Sequence, residues 1–584
     1  MKKRKLLTVL MAATLSVTVF MTGCGKKGDG ETTPSPSTGE TPGTETPGQE
    51  EDKLDADQTI NLVGYDFKTL DPSLISDTES FTTLTNVYEC LVREAVDENG
   101  NVYNEMAGAE SFEVSADGTV YTYKLRKDAK WSDGQPVTAK DYEYSWKRLT
   151  DPRTAADYMT FLEEIGVKGA TEVIAAEGKG DAAIDEALAN LGVKAIDDYT
   201  FQVTLAQPTA AFESAVAFKC LAPIREDLVK AQGDSFGNDP ATMVYNGPFV
   251  VSEYAKGSKI VYKKNPNYWN ADKVKLETAV GHIINETATI VKMFEGKEID
   301  VAGASGDDLT RLKKLAEQGE YQYITGTDTS AFFNYFNVER PVIKNAKVRR
   351  ALSLAADRQQ FLEVVYQRNI PSYGIVPPGM QVSGKDYRSL VEEPLKAAKV
   401  DDVKALFMEG LKEEGITDPS KLKIELLSGP ATTRSKAIAE YWQNTWKETF
   451  GFELVLNFAV DSQTYFKERS KGNFDIVSGG WGADYNDASS FFGVFLSSNP
   501  NNNGNYNNPK YDELVSAAAK ELDADKRIQL YKEAETLLVA EDAAVFPTFY
   551  ADIHQFRQNY VKGFYIPKFG GYYDLSRTYI SGKE

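Results

Sequence analysis

The sequence is poor in the residues on which most site chemistry depends. Among 584 residues there are two histidines, His282 and His554, and three cysteines, Cys24, Cys90 and Cys220. A zinc site needs three or four converging ligands, most often His and Cys. No CxxC pair and no Cys/His cluster occurs, so no metal and no cofactor are expected. Ser–His and Cys–His catalysis lack material for the same reason. Nucleophile elbows, Walker loops, HExxH and a strand-linked GxGxxG are missing too. The chain holds 86 Asp and Glu residues. Chance carboxylate pairs are unavoidable at that number, so a glycoside hydrolase gains no specific support. The expectation is a binding protein and not an enzyme. Cys90 and Cys220 read as buried thiols, although an exported protein could pair them.

Positive charge is also scarce. Lys and Arg number 65, for a formal charge of −21. Phosphate contacts need a basic patch, so nucleic acid is an improbable partner for so acidic a chain. Long apolar runs are limited to one, Leu6 to Met21, preceded by Lys2, Lys3, Arg4 and Lys5. At about 16 residues it is short for a spanning helix, which needs ~20. A charged start, a short apolar core and a small residue before Cys24 form an export signal. The arrangement resembles a bacterial lipoprotein signal, with Met21 where Leu is usual. That resemblance implies removal of 1–23 and a lipid on the Cys24 thiol, which places the protein on the extracytoplasmic face of the cell membrane. Loss of the four basic residues moves the charge from −21 to −25. Residues 25–53 are Pro, Gly, Thr, Ser and Glu with almost nothing apolar. Such a stretch cannot bury enough surface to fold. It is expected to act as a tether with a reach of ~30 Å.

The remainder of the chain is long enough for two or three lobes, since single cores stop growing near ~250–300 residues. Thr59–Val63, Phe201–Leu205 and Ile260–Tyr262 read as strands, and Asp117-Gly118 marks a hairpin between 114 and 125. Asp97-Glu98-Asn99-Gly100 is a turn signal without the ligand spacing of a calcium loop. Leu422–Leu427, a helix over Ser435–Thr449 stopped by Gly451, and Phe452–Phe458 form a βαβ unit, so these strands should be parallel. A short helix near Thr464–Ser470 leads to a third strand, Phe474–Ser478. Amphipathic helices are expected around Tyr511–Ala518 and Ile528–Leu538. The class is α/β. Ligands of open α/β sheets bind beyond the carboxyl ends of strands. The third strand runs into Gly479-Gly480-Trp481-Gly482-Ala483-Asp484-Tyr485, where glycines let a ligand approach and an acid stands between aromatics.

Particular blocks point further. Trp131-Ser132-Asp133-Gly134-Gln135-Pro136-Val137-Thr138-Ala139-Lys140-Asp141, with Tyr144-Ser145-Trp146, closely resembles the signature of bacterial oligopeptide-binding proteins, the family 5 extracellular solute-binding proteins. Gly192–Asp198, Asn246-Gly247-Pro248-Phe249, Asn265-Pro266-Asn267-Tyr268-Trp269, Val348–Leu352 and Asp357-Arg358 match further blocks in the family's order. Gly480–Asp487 is similar to the peptide-binding branch. The resemblance runs from about residue 58 to the end.

It implies a three-lobed periplasmic-binding-protein-like type II fold. Lobe I would comprise 58–91, 222–334 and 551–584, after a lipidated tether over 24–57. Lobe II would be an insertion over 92–221 with a mainly structural role, and lobe III would span 335–550. Ligand would be held between lobes I and III as they close on a hinge. Asp484 would pair with a peptide's α-ammonium. Ser478, Gly480 and Trp481, and the stretch near Glu79, would flank the peptide as strands, with Trp481 and Tyr485 as pocket walls and Asn246 among the contacts. Arg469 would face the carboxylate end, with Arg434 as a candidate for longer peptides. Ser478 stands where relatives place a second arginine. The resemblance also implies a monomer that hands short peptides to separate ABC permease subunits. The same fold binding an oligosaccharide or another small solute is the alternative.

Overall fold

The computed structural model describes residues 53–96, 102–398, 400 and 402–583. The signal, Cys24, most of the tether and the turn at 97–100 lie outside the described residues. The folded body begins at Lys53.

Its first part holds a four-stranded sheet in which Thr59–Gly64 pairs in parallel with Thr278–Ile283. Lys259–Lys264 and Phe249–Ala255 complete it in antiparallel order. Residues 109–204 build a separate antiparallel sheet, ordered Ala109–Val114, Val120–Leu125, Thr200–Thr204, Val193–Asp197. The turn at Asp117-Gly118 is as expected. The Asp117 carboxylate accepts hydrogen bonds from Ser115 and Thr119, and the tip is closed by the Gly118 N–H donating to the Ser115 carbonyl at 2.8 Å. Burial of Trp131, Tyr142, Trp146, Phe161, Phe201 and Phe212 cements this sheet to the helix Ala139–Thr150.

The last part is organised by a seven-stranded sheet. Its spatial order is Val301–Gly303, Val545–Arg557, Gln322–Phe336, Ile476–Gly482, Glu425–Ser428 and Val455–Phe458, with Ile370–Pro371 added on Val545–Arg557. The expected βαβ unit is present: Glu425–Ser428 and Val455–Phe458 run parallel on either side of the helix Thr433–Phe450. That helix buries Trp442 and Trp446 and ends at Gly451, whose φ of +82° is the left-handed geometry glycine adopts without strain. The helices Pro509–Lys520 and Ala524–Thr536 bury the apolar stripes read from the sequence, including Tyr511, Leu514, Ile528 and Tyr531.

Two strands are unusually long, Gln322–Phe336 with 15 residues and Val545–Arg557 with 13. Their antiparallel register breaks between the pairs Thr327↔Asp552 and Ala331↔Tyr550. One end of this ladder packs in a small core with Val291, Phe294 and Leu312. The other end packs in the two large cores of residues 331–550. Cys90 and Cys220 are buried, unbridged thiols, and burial pushes Cys90 up to about 11. Among the described residues no His/Cys/Asp/Glu group is placed to hold a metal, and no helix is long and apolar enough to cross a membrane.

Candidate functional site

The strand expected to stop at Ser478 continues to Gly482. The Gly479-Gly480 pair is therefore strand and not loop. It pairs with Phe333 and Phe332 of Gln322–Phe336. A Cβ on Gly479 would lie 2.7 Å from Cε2 of Tyr335, and one on Gly480 would lie 2.9 Å from the Ala331 carbonyl. These glycines admit neighbouring rings and backbone. On its other side the strand pairs with Glu425–Ser428 only through Ile476 and Val477. Among the described residues no strand pairs that edge of 478–482. The Ser478 hydroxyl donates to Asn334 at 2.8 Å, and its carbonyl accepts from the Tyr465 hydroxyl.

Asp484 stands directly beyond the carboxyl end of this strand. Its loop is held by Asp487, which forms a two-pronged buried ion pair with Arg527, both arms at 2.7 Å. Asp484 itself has no cation within ion-pair reach among the described residues. Its Oδ1 accepts from the Tyr158 hydroxyl at 2.9 Å and its Oδ2 from Ser490 at 3.4 Å, while its N–H donates to Ser490 at 3.0 Å. Burial pushes its carboxyl up to about 8. The Glu164 charge pushes the same way, and the two hydroxyls only partly oppose them. Removing a carboxylate from water without a counter-charge favours its neutral form. Geometrically this is a negative group prepared for a positive one.

The aromatics on either side face different cores. Trp481 packs against the core of residues 331–550 and donates Nε1 to Ser490 at 3.4 Å. Tyr485 crosses instead into the core of the first part of the chain, edge-on to Phe161 with centroids 6.0 Å apart. A cavity of about 800 Å³ opens beside Asp484 and Tyr485, bounded by Phe218, Lys219, Thr327 and Phe569. That size falls within the range of small-molecule sites. Asn486 Oδ1 sits in its wall, buried and without a hydrogen-bond donor. Glu94, also in the wall, is raised to about 7 by burial, and accepts from Tyr565 and the Lys568 N–H.

Residues 105–503 match the family model described as bacterial extracellular solute-binding proteins, family 5. The chain belongs to that family. It is 32% identical to the oligopeptide-binding protein OppA of Bacillus subtilis, over 98% of this chain and 99% of that protein. It is also 32% identical to the probable deoxycholate-binding periplasmic protein YgiS of Escherichia coli, over 85% and 88%. The solved structure of Listeria monocytogenes OppA bound to peptide superposes with a TM-score of 0.77 at 30% identity, covering 90% of this chain and 100% of that one. The architecture is thus the type II periplasmic-binding-protein fold.

Within this family 5 protein the other expected site residues fall unevenly. Arg469 lies near Ser478, its guanidinium over the Tyr335 and Phe466 rings at 5.6 and 5.7 Å, with no carboxylate in ion-pair reach among the described residues. Arg434 is exposed at the start of its helix, over Tyr366. Glu79 is not in a strand. It occupies the first turn of the helix Thr78–Val87, because Asp77 caps that helix by accepting from the Ser80 N–H at 2.8 Å. The extended backbone ends at Asp77, and Glu79 instead accepts from the Tyr572 hydroxyl at 3.4 Å. Asn246 is 4% exposed, and its amide is committed to the Glu89 main chain in both directions, at 3.0 and 2.9 Å. It fixes backbone and presents no free amide to a ligand. Cys24 lies outside the described residues.

The sequence reading missed Tyr158, Phe161 and Glu164. All three come from the segment 92–221 expected to be mainly structural, yet they surround Asp484 and Tyr485. Their only signal was an aromatic pair beside acids.

Proposed function

We propose that this solute-binding protein captures short peptides by their free amino end and delivers them to a separate ABC permease, held at the extracytoplasmic face of the cell membrane by a lipid on Cys24. The observation that carries the reading is Asp484: a desolvated carboxylate with two hydroxyl donors and no cation, at the end of a strand with an open edge. A peptide ammonium supplies the missing charge, and charge-assisted bonds of this kind are worth ~1.5–3 kcal/mol. The free edge of 478–482 offers main-chain hydrogen bonds that require no particular side chain, which suits ligands sharing only a backbone. Arg469 is positioned for the carboxylate end. Trp481 and Tyr485 are assigned to the walls of the site, with Arg434 and Glu79 kept as peripheral candidates. The register break at Thr327–Ala331 is the proposed hinge, where Gln322–Phe336 and Val545–Arg557 pass between lobe I (58–91, 222–334 and 551–584) and lobe III (335–550).

Support from relatives is direct for peptides, since the Listeria OppA structure is a peptide complex. YgiS bears the name of a deoxycholate-binding protein, and a ligand of that class carries no ammonium to supply the charge that Asp484 lacks. Mass spectrometry of small molecules released by denaturing the purified protein tests the reading. A ladder of short peptides with free amino termini is the expected result. A sugar or a bile acid in their place would overturn the substrate while leaving the fold.

A further inference from the structure

A second cavity, of about 320 Å³, lies between the Asn270–Lys275 turn and the segment Ser576–Tyr579, and shares only Arg93 with the lining of the cavity beside Asp484. Its lining gathers four cations, Arg93, Lys273, Lys275 and Arg577, against one carboxylate, Glu105. Glu105 is claimed by Arg577 at 2.6 Å. Arg93 is 8% exposed and neutralised from behind by Asp574 and Glu89, at 2.7 and 3.5 Å. Its Nε nonetheless has no hydrogen-bond acceptor, the nearest carboxylate oxygen being 3.6 Å away on Glu105. Lys273 and Lys275 have no carboxylate in ion-pair reach among the described residues. Lys275 rests its ammonium over the Tyr579 ring at 5.3 Å. On a chain with a formal charge of −21, this concavity lines itself with four cations and leaves its two lysines without a carboxylate partner among the described residues.

Its place in the fold is as informative as its charge. The Ser581 hydroxyl donates to the Lys53 carbonyl at 3.0 Å, and the Asp55 N–H donates to the Ile580 carbonyl at 3.1 Å. The chain therefore enters the folded body beside the strand that lines this cavity. We infer that the pocket between Lys273, Lys275 and Arg577 binds a phosphate ester of a small polyol, the chemistry of a glycerophosphate. Lysine ammoniums act on phosphate as point charges. The volume exceeds a bare phosphate, and the Asn270 amide and Ser576 hydroxyl in the lining suit a polyol. The same ester occurs in membrane headgroups and free in solution. A membrane source rests on the proposed Cys24 anchor, which would hold the protein at a headgroup surface.

The test compares the full chain with its Lys273→Gln/Lys275→Gln variant; both lysines are exposed and support no ion pair. Titration calorimetry with sn-glycerol 3-phosphate should show saturable binding that weakens on the order of thirtyfold in the variant, at about tenfold for every one to two lysines near an anionic surface. Retention on phosphatidylglycerol vesicles above phosphatidylcholine vesicles, lost in the variant, assigns the ester to a membrane headgroup. Equal retention on both, with glycerol phosphate still bound, assigns it to a free ester. Absence of glycerol phosphate binding, or binding equal in the two proteins, overturns the inference. Peptide affinity should be the same in both, so this result and the peptide reading stand or fall separately.

Discussion

Replacing Asp484 by Asn should do two opposite things, and the structure sizes both. The amide keeps the shape and can still accept from Tyr158 and contact Ser490. It removes the charge that a peptide ammonium needs. Losing one member of a buried pair costs ~3–5 kcal/mol, so affinity for a free-amine peptide should fall about 10²–10⁴-fold. The empty protein should respond the other way. The Asp484 carboxyl is raised from 3.8 to about 8 by burial, so its folded value lies above its unfolded one. The native state then holds that proton more tightly. The stabilisation is complete below the unfolded value and is lost as pH rises from about 4 towards 8, at ~1.4 kcal/mol per unit. At pH 7 the loss is at most ~4 kcal/mol, and Asn does not suffer it. The variant should therefore unfold at higher temperature than the parent at pH 7, with the gap closing near pH 4. Binding gives a third reading. At pH 7 the empty parent holds roughly 0.9 of a proton on Asp484, and pairing with ammonium expels it. Calorimetry in buffers of different ionisation enthalpy should count nearly one proton released by the parent and none by the variant. Peptide affinity unchanged within threefold, or a variant that melts lower at pH 7, would refute the reasoning.

Individual contacts lead to further outcomes. Tyr158→Phe removes the 2.9 Å bond to Asp484 and should weaken peptide binding by about tenfold or more, since bonds to charged groups are worth ~1.5–3 kcal/mol; unchanged calorimetry would take the 92–221 segment out of the site. Gly479→Ala places a methyl 2.7 Å from the Tyr335 ring, and overpacking of this kind costs ~1–3 kcal/mol, to be read as a lower melting temperature. Arg469→Gln should weaken peptides with a free carboxylate and leave carboxy-amidated ones nearly untouched; equal loss for both would assign Arg469 a packing role on Tyr335. Arg527→Met leaves the buried Asp487 carboxylate without its partner and should destabilise the protein by ~3–5 kcal/mol, with peptide affinity falling because the Asp484 loop loosens.

Much of the fold could be read from local signals that do not depend on distant residues. The helix Thr433–Phe450 shows its tryptophan stripe and its terminal glycine in sequence, and the flanking apolar runs make parallel pairing the economical choice. The placement of Asp484 beyond a strand end was legible for the same reason. The readings that failed depended on partners. Residue by residue the third strand reads as ending at Ser478, because only the rings of Tyr335 and Phe332 show why a strand would carry Gly479 and Gly480. Glu79 looked extended because capping by Asp77 competes with extension and wins through a single hydrogen bond.

The class of protein is set by composition and near neighbours: the scarcity of histidine and basic charge, the motif order from Trp131 to Asp487, and the periodicities that build sheets and helices. Which charge is left unpaired is settled in three dimensions alone. Asp484, Lys273 and Lys275 are ordinary acids and bases along the chain. They become candidate binding groups because folding brings Asp484 next to Tyr158 and Glu164 and, among the described residues, gives it no cation and the two lysines no carboxylate. Electrostatic need is set by distance in space and by the water that folding removes, and neither is written in the order of residues.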